Sequence, residues 1–115
     1  MAVSPEARAF ALDLFAGMGG LSVRAMMGGL ALYCRGQVFA ILKSDERLYL
    51  KAAGPLAAVL AAEGAEQFTH VRKGGVTARM NYWTLPDAAI DDPDLACDWG
   101  RRALAAAYGG PDAFP

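Results

Sequence analysis

Val23 to Lys51, VRAMMGGLALYCRGQVFAILKSDERLYLK, is the stretch whose reading decides the fold. It reads as three consecutive antiparallel strands. The first runs through Leu30-Ala31-Leu32-Tyr33-Cys34. Arg35-Gly36 makes a two-residue turn, where glycine takes the positive φ that a tight hairpin requires. The second strand, Gln37 to Leu42, is dense in Val, Phe and Ile, which suit a pleated, half-buried surface. Polar Lys43-Ser44-Asp45-Glu46 turns the chain again. In the third strand, Arg47 to Lys51, Leu48 and Leu50 point one way and Arg47, Tyr49 and Lys51 the other. A meander with one apolar face needs a cover.

The flanking segments supply it. Upstream, Ser4-Pro5 opens a helix as N-cap and first helical residue. Ala7, Phe10, Ala11, Leu14, Phe15 and Met18 fall on its inward face. Ser22 to Met27 is an extended lead-in, and Gly28-Gly29 marks a bulge or a close backbone approach. Downstream, Leu56 to Glu63 makes a short second helix stopped by Gly64. Gln67–Arg72 and Val76–Thr84 form a second hairpin. On the latter strand Val76, Ala78, Met80 and Tyr82 share one face, and Thr77, Arg79, Asn81 and Trp83 the other. Asp91-Asp92-Pro93-Asp94 caps a last helix. Its apolar arc centres on Ala96, Gly100, Ala103 and Ala107, with Leu95, Trp99 and Leu104 on the flanks. The expected fold is an α+β, two-layer domain of order α-β-β-β-α-β-β-α, with three helices on a five-stranded antiparallel sheet.

At 115 residues the chain is one domain, residues 1–115, with 1–4 and 109–115 expected to fray. A chain of this size buries roughly two-thirds of its unfolded surface, enough for one core. The formal net charge is −1, which lacks the basic excess of a strongly electrostatic nucleic-acid binder. Its distribution is uneven: residues 1–86 sum to +3 and residues 87–115 to −4. Cys34 and Cys97 are too few for a disulfide framework and read as reduced thiols, with a single Cys34–Cys97 bond as the alternative. There is no signal-peptide pattern and no apolar run near the roughly 20 residues that span a bilayer. The expected location is the cytoplasm.

The residues that carry chemistry are sparse. Cys34, Cys97 and His70 stand in no metal-ligand spacing, so no metal or cofactor is expected. One histidine allows at most one nucleophile–base dyad. Gly17-Met18-Gly19-Gly20 ends a helix and lacks the following Lys-Ser/Thr of a phosphate loop. What remains is a set of basic and aromatic strand residues on the side turned from the apolar layer. Arg47, Tyr49, Lys51, Arg79, Trp83 and either Arg72 or His70 make up this candidate interaction face. Such a face stacks single-stranded nucleic acid or holds an acidic partner; the plainer reading is a solvated sheet surface.

Several short runs, in order, carry a resemblance. Arg24-Ala25-Met26-Met27-Gly28-Gly29-Leu30-Ala31-Leu32-Tyr33, Gly36-Gln37-Val38-Phe39-Ala40 and Leu48-Tyr49-Leu50-Lys51 resemble "R-x-M-F-G-G-x-G-L-Y … G-x-x-F-A … LYLK" of the TfoX (Sxy) N-terminal domain family. Phe68-Thr69 and Met80-Asn81-Tyr82-Trp83-Thr84-Leu85-Pro86 resemble its "F-x-Y … M-S-Y-W-x-L-P". Asp91-Asp92, Leu95 and Trp99 extend the likeness, which spans about residues 7–107 and suggests a stand-alone N-terminal domain. Met27, Ala31 and Asn81 depart from the family's usual Phe, Gly and Ser. The resemblance implies the α-β(3)-α-β(2)-α fold and no catalytic, cofactor or metal-binding residues. The family's best-known members have two domains. They co-activate DNA-uptake genes with the cyclic-AMP receptor protein.

The expected function is therefore a non-enzymatic regulatory or protein-interaction domain, a monomer or homodimer whose partner belongs to the transcription machinery. It should bind double-stranded DNA only weakly by itself and should not engage membranes. The alternatives are a small-molecule-binding or enzymatic domain, or single-stranded nucleic-acid binding through the basic and aromatic face.

Overall fold

Ser4 turns the chain into its first helix. In the computed structural model, which describes residues 3–109 except 27 and 72, the Ser4 hydroxyl accepts the amide N–H of Ala7 at 3.1 Å. Pro5 then begins α1 (Pro5–Leu14). Ala11, Leu14, Phe15 and Met18 are buried. Phe10, expected beside them, is 47% exposed, because it stands at the flank of the stripe that meets the sheet. Positive φ at Gly19 and Gly20 frees the chain from the helix end.

The next stretch corrects the strand count. The lead-in is a full strand, β1 (Leu21–Met26), paired antiparallel along its length with β2 (Gly29–Cys34). β3 (Gln37–Lys43) and β4 (Leu48–Lys51) continue the meander. Then come α2 (Pro55–Ala62), β5 (Gln67–Val71), β6 (Thr77–Thr84) and α3 (Pro93–Tyr108). Among the described residues the order is α-β-β-β-β-α-β-β-α, and the sheet has six strands rather than five, arranged β1-β2-β3-β4-β6-β5. Every pairing is antiparallel. β1 reads weakly because it is an edge strand: most of its side chains are exposed, and of its apolar row Leu21, Val23 and Ala25, Leu21 and Val23 are half-buried against the core while Ala25 is exposed.

Turn chemistry sets the register. Arg35 (φ 51°) and Gly36 (φ 82°) both take the positive φ of a type I′ turn between β2 and β3. Gly29 is a close approach: a Cβ there would run into the carbonyl oxygen of Leu42 on β3. A register shift follows between Leu32 and Tyr33, where Leu32 faces Ala40 but Tyr33 faces Val38. The extra residue, Phe39, turns inward beside Ala40. Phe39 packs edge-on against Phe15, ring centroids 5.1 Å apart.

The main core lies between the helices and one sheet face. Leu32, Phe39, Ala40, Leu42, Leu48 and Leu50 meet Leu60, Trp99, Ala103 and Leu104. Small residues bring α3 close: a Cβ on Gly100 would sit 2.6 Å from the sulfur of Met18. Ala96 and Ala103 are buried with it, but Ala107 is exposed. There helix and sheet part around a shallow cavity of 250 Å³ bordered by Lys51, Asn81 and Ala107. Asp92 caps α3 by accepting the amide N–H of Leu95 at 3.1 Å. Cys34 and Cys97 are buried free thiols that donate to the carbonyls of Gly19 (3.2 Å) and Leu14 (3.7 Å). No helix among the described residues is long and apolar enough to cross a membrane.

Candidate interaction face

The helices leave the other face of the sheet uncovered, and that face has an apolar floor of its own. Strand alternation places Ala31, Ile41 and Tyr49 there, and all three are buried. Direct pairing aligns them in one row, Arg24–Ala31–Ile41–Tyr49, across β1 to β4. Half-buried Tyr33, Val38, Phe68 and Tyr82 pack around the floor. Val38 belongs here because the extra residue at Phe39 reverses the alternation of β3. Tyr49 and Phe68 join β4 to β5, with ring centroids 5.3 Å apart.

Basic side chains lie over these rings. The Arg24 guanidinium is 5.6 Å from the Tyr33 centroid. The Lys43 ammonium is 4.8 Å from Phe68. Arg47 is 5.7 Å from Tyr49, and Lys51 is 5.5 Å from Tyr82. Each contact is electrostatically favourable and costs the cation little of its hydration. The methylene stems of Lys43 and Lys51 cover apolar surface, leaving both residues half-buried. Arg47 also reaches Glu66 at 3.5 Å, a solvent-exposed pair of small energetic weight. Among the described residues Arg24, Lys43 and Lys51 form no ion pair.

Burial shifts the phenols. Desolvation raises the pKa of Tyr49, Tyr82 and Tyr108 above the ordinary value, Arg47 pulling Tyr49 partly back and Tyr33 adding to the rise at Tyr82 and Tyr108. Tyr49 and Tyr82 are therefore neutral at physiological pH.

Of the residues singled out from sequence, Arg47, Tyr49 and Lys51 come together on this face. Trp83 does not. It lies directly across from Leu50 and packs against the helix-side core. The register of β4 on β6 sets Tyr82 opposite Lys51, so Tyr82 takes the place expected of Trp83. Arg79 pairs with Thr69 beyond the register break between Gln67 and Thr69, exposed and away from the aromatic group. Arg72 lies outside the described residues. Arg24, Tyr33, Lys43, Phe68 and Tyr82 join the face without having been singled out. One signal did point to them. The run Val38–Leu42 is apolar at every position, which a central strand needs only when side chains are buried on both of its faces.

Among the described residues no three His, Cys, Asp or Glu side chains gather to hold a metal ion. The family model of the TfoX N-terminal domain matches residues 13–107. No curated protein matches the chain.

Proposed function

The chain belongs to the TfoX N-terminal domain family, and on that premise we propose that it is a non-enzymatic interaction module whose open sheet face docks an acidic protein surface. The observation that supports this is the set of four cations, each standing over an aromatic ring on the uncovered face. A ring already covered by a cation is closed to a nucleobase, so the arrangement favours charge recognition over base stacking. The aromatic floor holds the cation heads in place before a partner arrives, which lowers the ordering cost of binding. Carboxylates of a partner would meet them as charge-assisted contacts. The role implied by the resemblance, regulation of DNA-uptake genes through the transcription machinery, is compatible with such a module.

The test is a titration of two labelled probes, an acidic peptide of alternating Glu and Leu and a single-stranded oligothymidylate. The acidic peptide should bind, and the Lys43→Glu/Lys51→Glu double variant should weaken it by about tenfold or more, in line with loss of two charge-assisted contacts. Tighter binding of the oligothymidylate, lost on Tyr82→Ala, would establish base stacking instead.

A further inference from the structure

Phe10 and Ile90 leave apolar surface open where α1 meets the entry to α3, at 47% and 41% exposure. Both line two adjoining cavities. One, of 240 Å³, lies between Phe10, Leu14, Ile90 and Pro93, with the carboxylates of Asp13 and Asp91 at its rim. The second, of 220 Å³, continues over Leu48 and Leu85 toward Glu46, Glu66 and Asp87. A third, of 140 Å³, shares Leu85 and Asp87 with the second and ends at Glu63. The three adjoin as one groove, apolar at the Phe10–Ile90 end, more polar toward Glu63, and with carboxylates along its length. Arg47 is the cation among its lining residues, and Glu66 pairs with it at 3.5 Å. Glu46 accepts a hydrogen bond from the Ser4 hydroxyl at 2.8 Å. Asp13, Glu63, Asp87 and Asp91 form no ion pair among the described residues.

We propose that this groove binds a basic segment of a partner protein, one that sets a bulky apolar side chain between Phe10 and Ile90 and lysines or arginines against the flanking carboxylates. Charge complementarity decides the occupant. An apolar floor alone would accept many sequences, but carboxylates along the sides repel acidic segments and draw in basic ones. The carboxylates are strung along the groove, which suits the spaced charges of an extended or helical segment. The groove is distinct from the open sheet face, although Arg47 borders both. One domain thus offers a basic surface and an acidic one to different partners.

The experiment titrates the full chain against three labelled peptides, alternating Lys/Leu, Lys/Ser and Glu/Leu. The Lys/Leu peptide should bind, Lys/Ser about tenfold more weakly for want of the apolar contact, and Glu/Leu should miss the groove. Asp87→Lys/Asp91→Lys and Phe10→Ser should each weaken the Lys/Leu peptide about tenfold or more. Lys43→Glu/Lys51→Glu, on the sheet face, should leave it unchanged, so the groove and the proposed sheet-face function fail independently. Ile90→Ser repeats the apolar test should Phe10→Ser lose its fold by circular dichroism. Absence of Lys/Leu binding would overturn the proposal, as would binding that survives the groove variants. So would a dimer in sedimentation that Phe10→Ser dissolves, since that would assign the groove to a second copy.

Discussion

The phenol hydroxyl of Tyr108 donates to the main-chain carbonyl of Val38 at 2.8 Å, tying the last residue of α3 to β3 beside its extra residue. The bond spans 70 positions of sequence and anchors the helix end past the point where the small-residue arc stops packing. Tyr108→Phe keeps the ring and removes the donor. It should lower stability by about 0.5–1 kcal/mol, the net worth of a hydrogen bond near the surface. Urea denaturation of both proteins measures the difference, and amide exchange in the last turn of α3 should rise.

Gly29→Ala tests the close approach of β2 to β3. The added Cβ meets the Leu42 carbonyl, which is backbone and cannot rotate aside as a side chain would. Separating the strands would disturb the hairpin at its base and the cores on both faces. The expected cost is about 3 kcal/mol, at the upper end for overpacking. A midpoint of urea unfolding within error of the parent protein would show that the strands have room to spare.

Trp99 is 6% exposed and flanks the row in which Gly100 brings α3 against Met18. Its other ring face carries Arg102, 4.3 Å from the centroid. Trp99→Ala should cost about 3–5 kcal/mol, as large aromatic truncations in cores do. A thermal melt that did not move would contradict the packing of α3 on the sheet.

The fold was legible where local chemistry and global packing agree. Ser4 and Asp92 cap the helices expected of them, Arg35-Gly36 makes its turn, and Leu48 and Leu50 face the helices while Tyr49 faces away. β1 was harder to read because an edge strand is stabilised by its neighbour's hydrogen bonds more than by its own side chains. The interaction face was half legible for a different reason. Tyr49 and Lys51 lie on β4 with Arg47 just before it, where alternation suffices. The choice between Tyr82 and Trp83 depends on the β4–β6 register, a tertiary fact to which a single strand's pattern is blind. The placement of Val38 likewise rests on one extra residue in β3, which shifts the alternation of what precedes it on that strand, whereas Tyr33 follows the plain alternation of β2 from Ala31.

Raising the pH should destabilise the domain through its phenols. Tyr49, Tyr82 and Tyr108 have folded pKa values above those of the unfolded chain, chiefly because burial disfavours the phenolate. The unfolded chain therefore releases these protons first, near pH 10. Stability from this source is complete below that pH and is lost as pH rises through the folded values. Tyr49→Phe and Tyr82→Phe should each flatten the decline. Tyrosinate absorbance followed alongside urea midpoints between neutral and strongly alkaline pH gives both quantities, and a stability curve indifferent to the substitutions would contradict the assignment.

Double-stranded DNA should bind this chain weakly and without sequence preference. The formal net charge is −1, so long-range attraction to phosphate is poor. On the basic sheet face Arg47 is already paired with Glu66 at 3.5 Å. No described helix is suited to a groove of the duplex. α3 exposes Arg101 and Arg102, but Arg101 is 3.5 Å from Asp98 and donates to the Gly17 carbonyl, and the helix begins at Asp92 and Asp94. α2 carries no basic residue. Specific binders reach dissociation constants of about 10⁻⁸ M or tighter at physiological salt, and this chain should fall short by several orders of magnitude. Fluorescence anisotropy with genomic fragments and a scrambled duplex, at physiological salt, measures it. Tight binding that distinguished the two duplexes would mean that the domain reads DNA itself, and the acidic-partner reading of its sheet face would have to be given up.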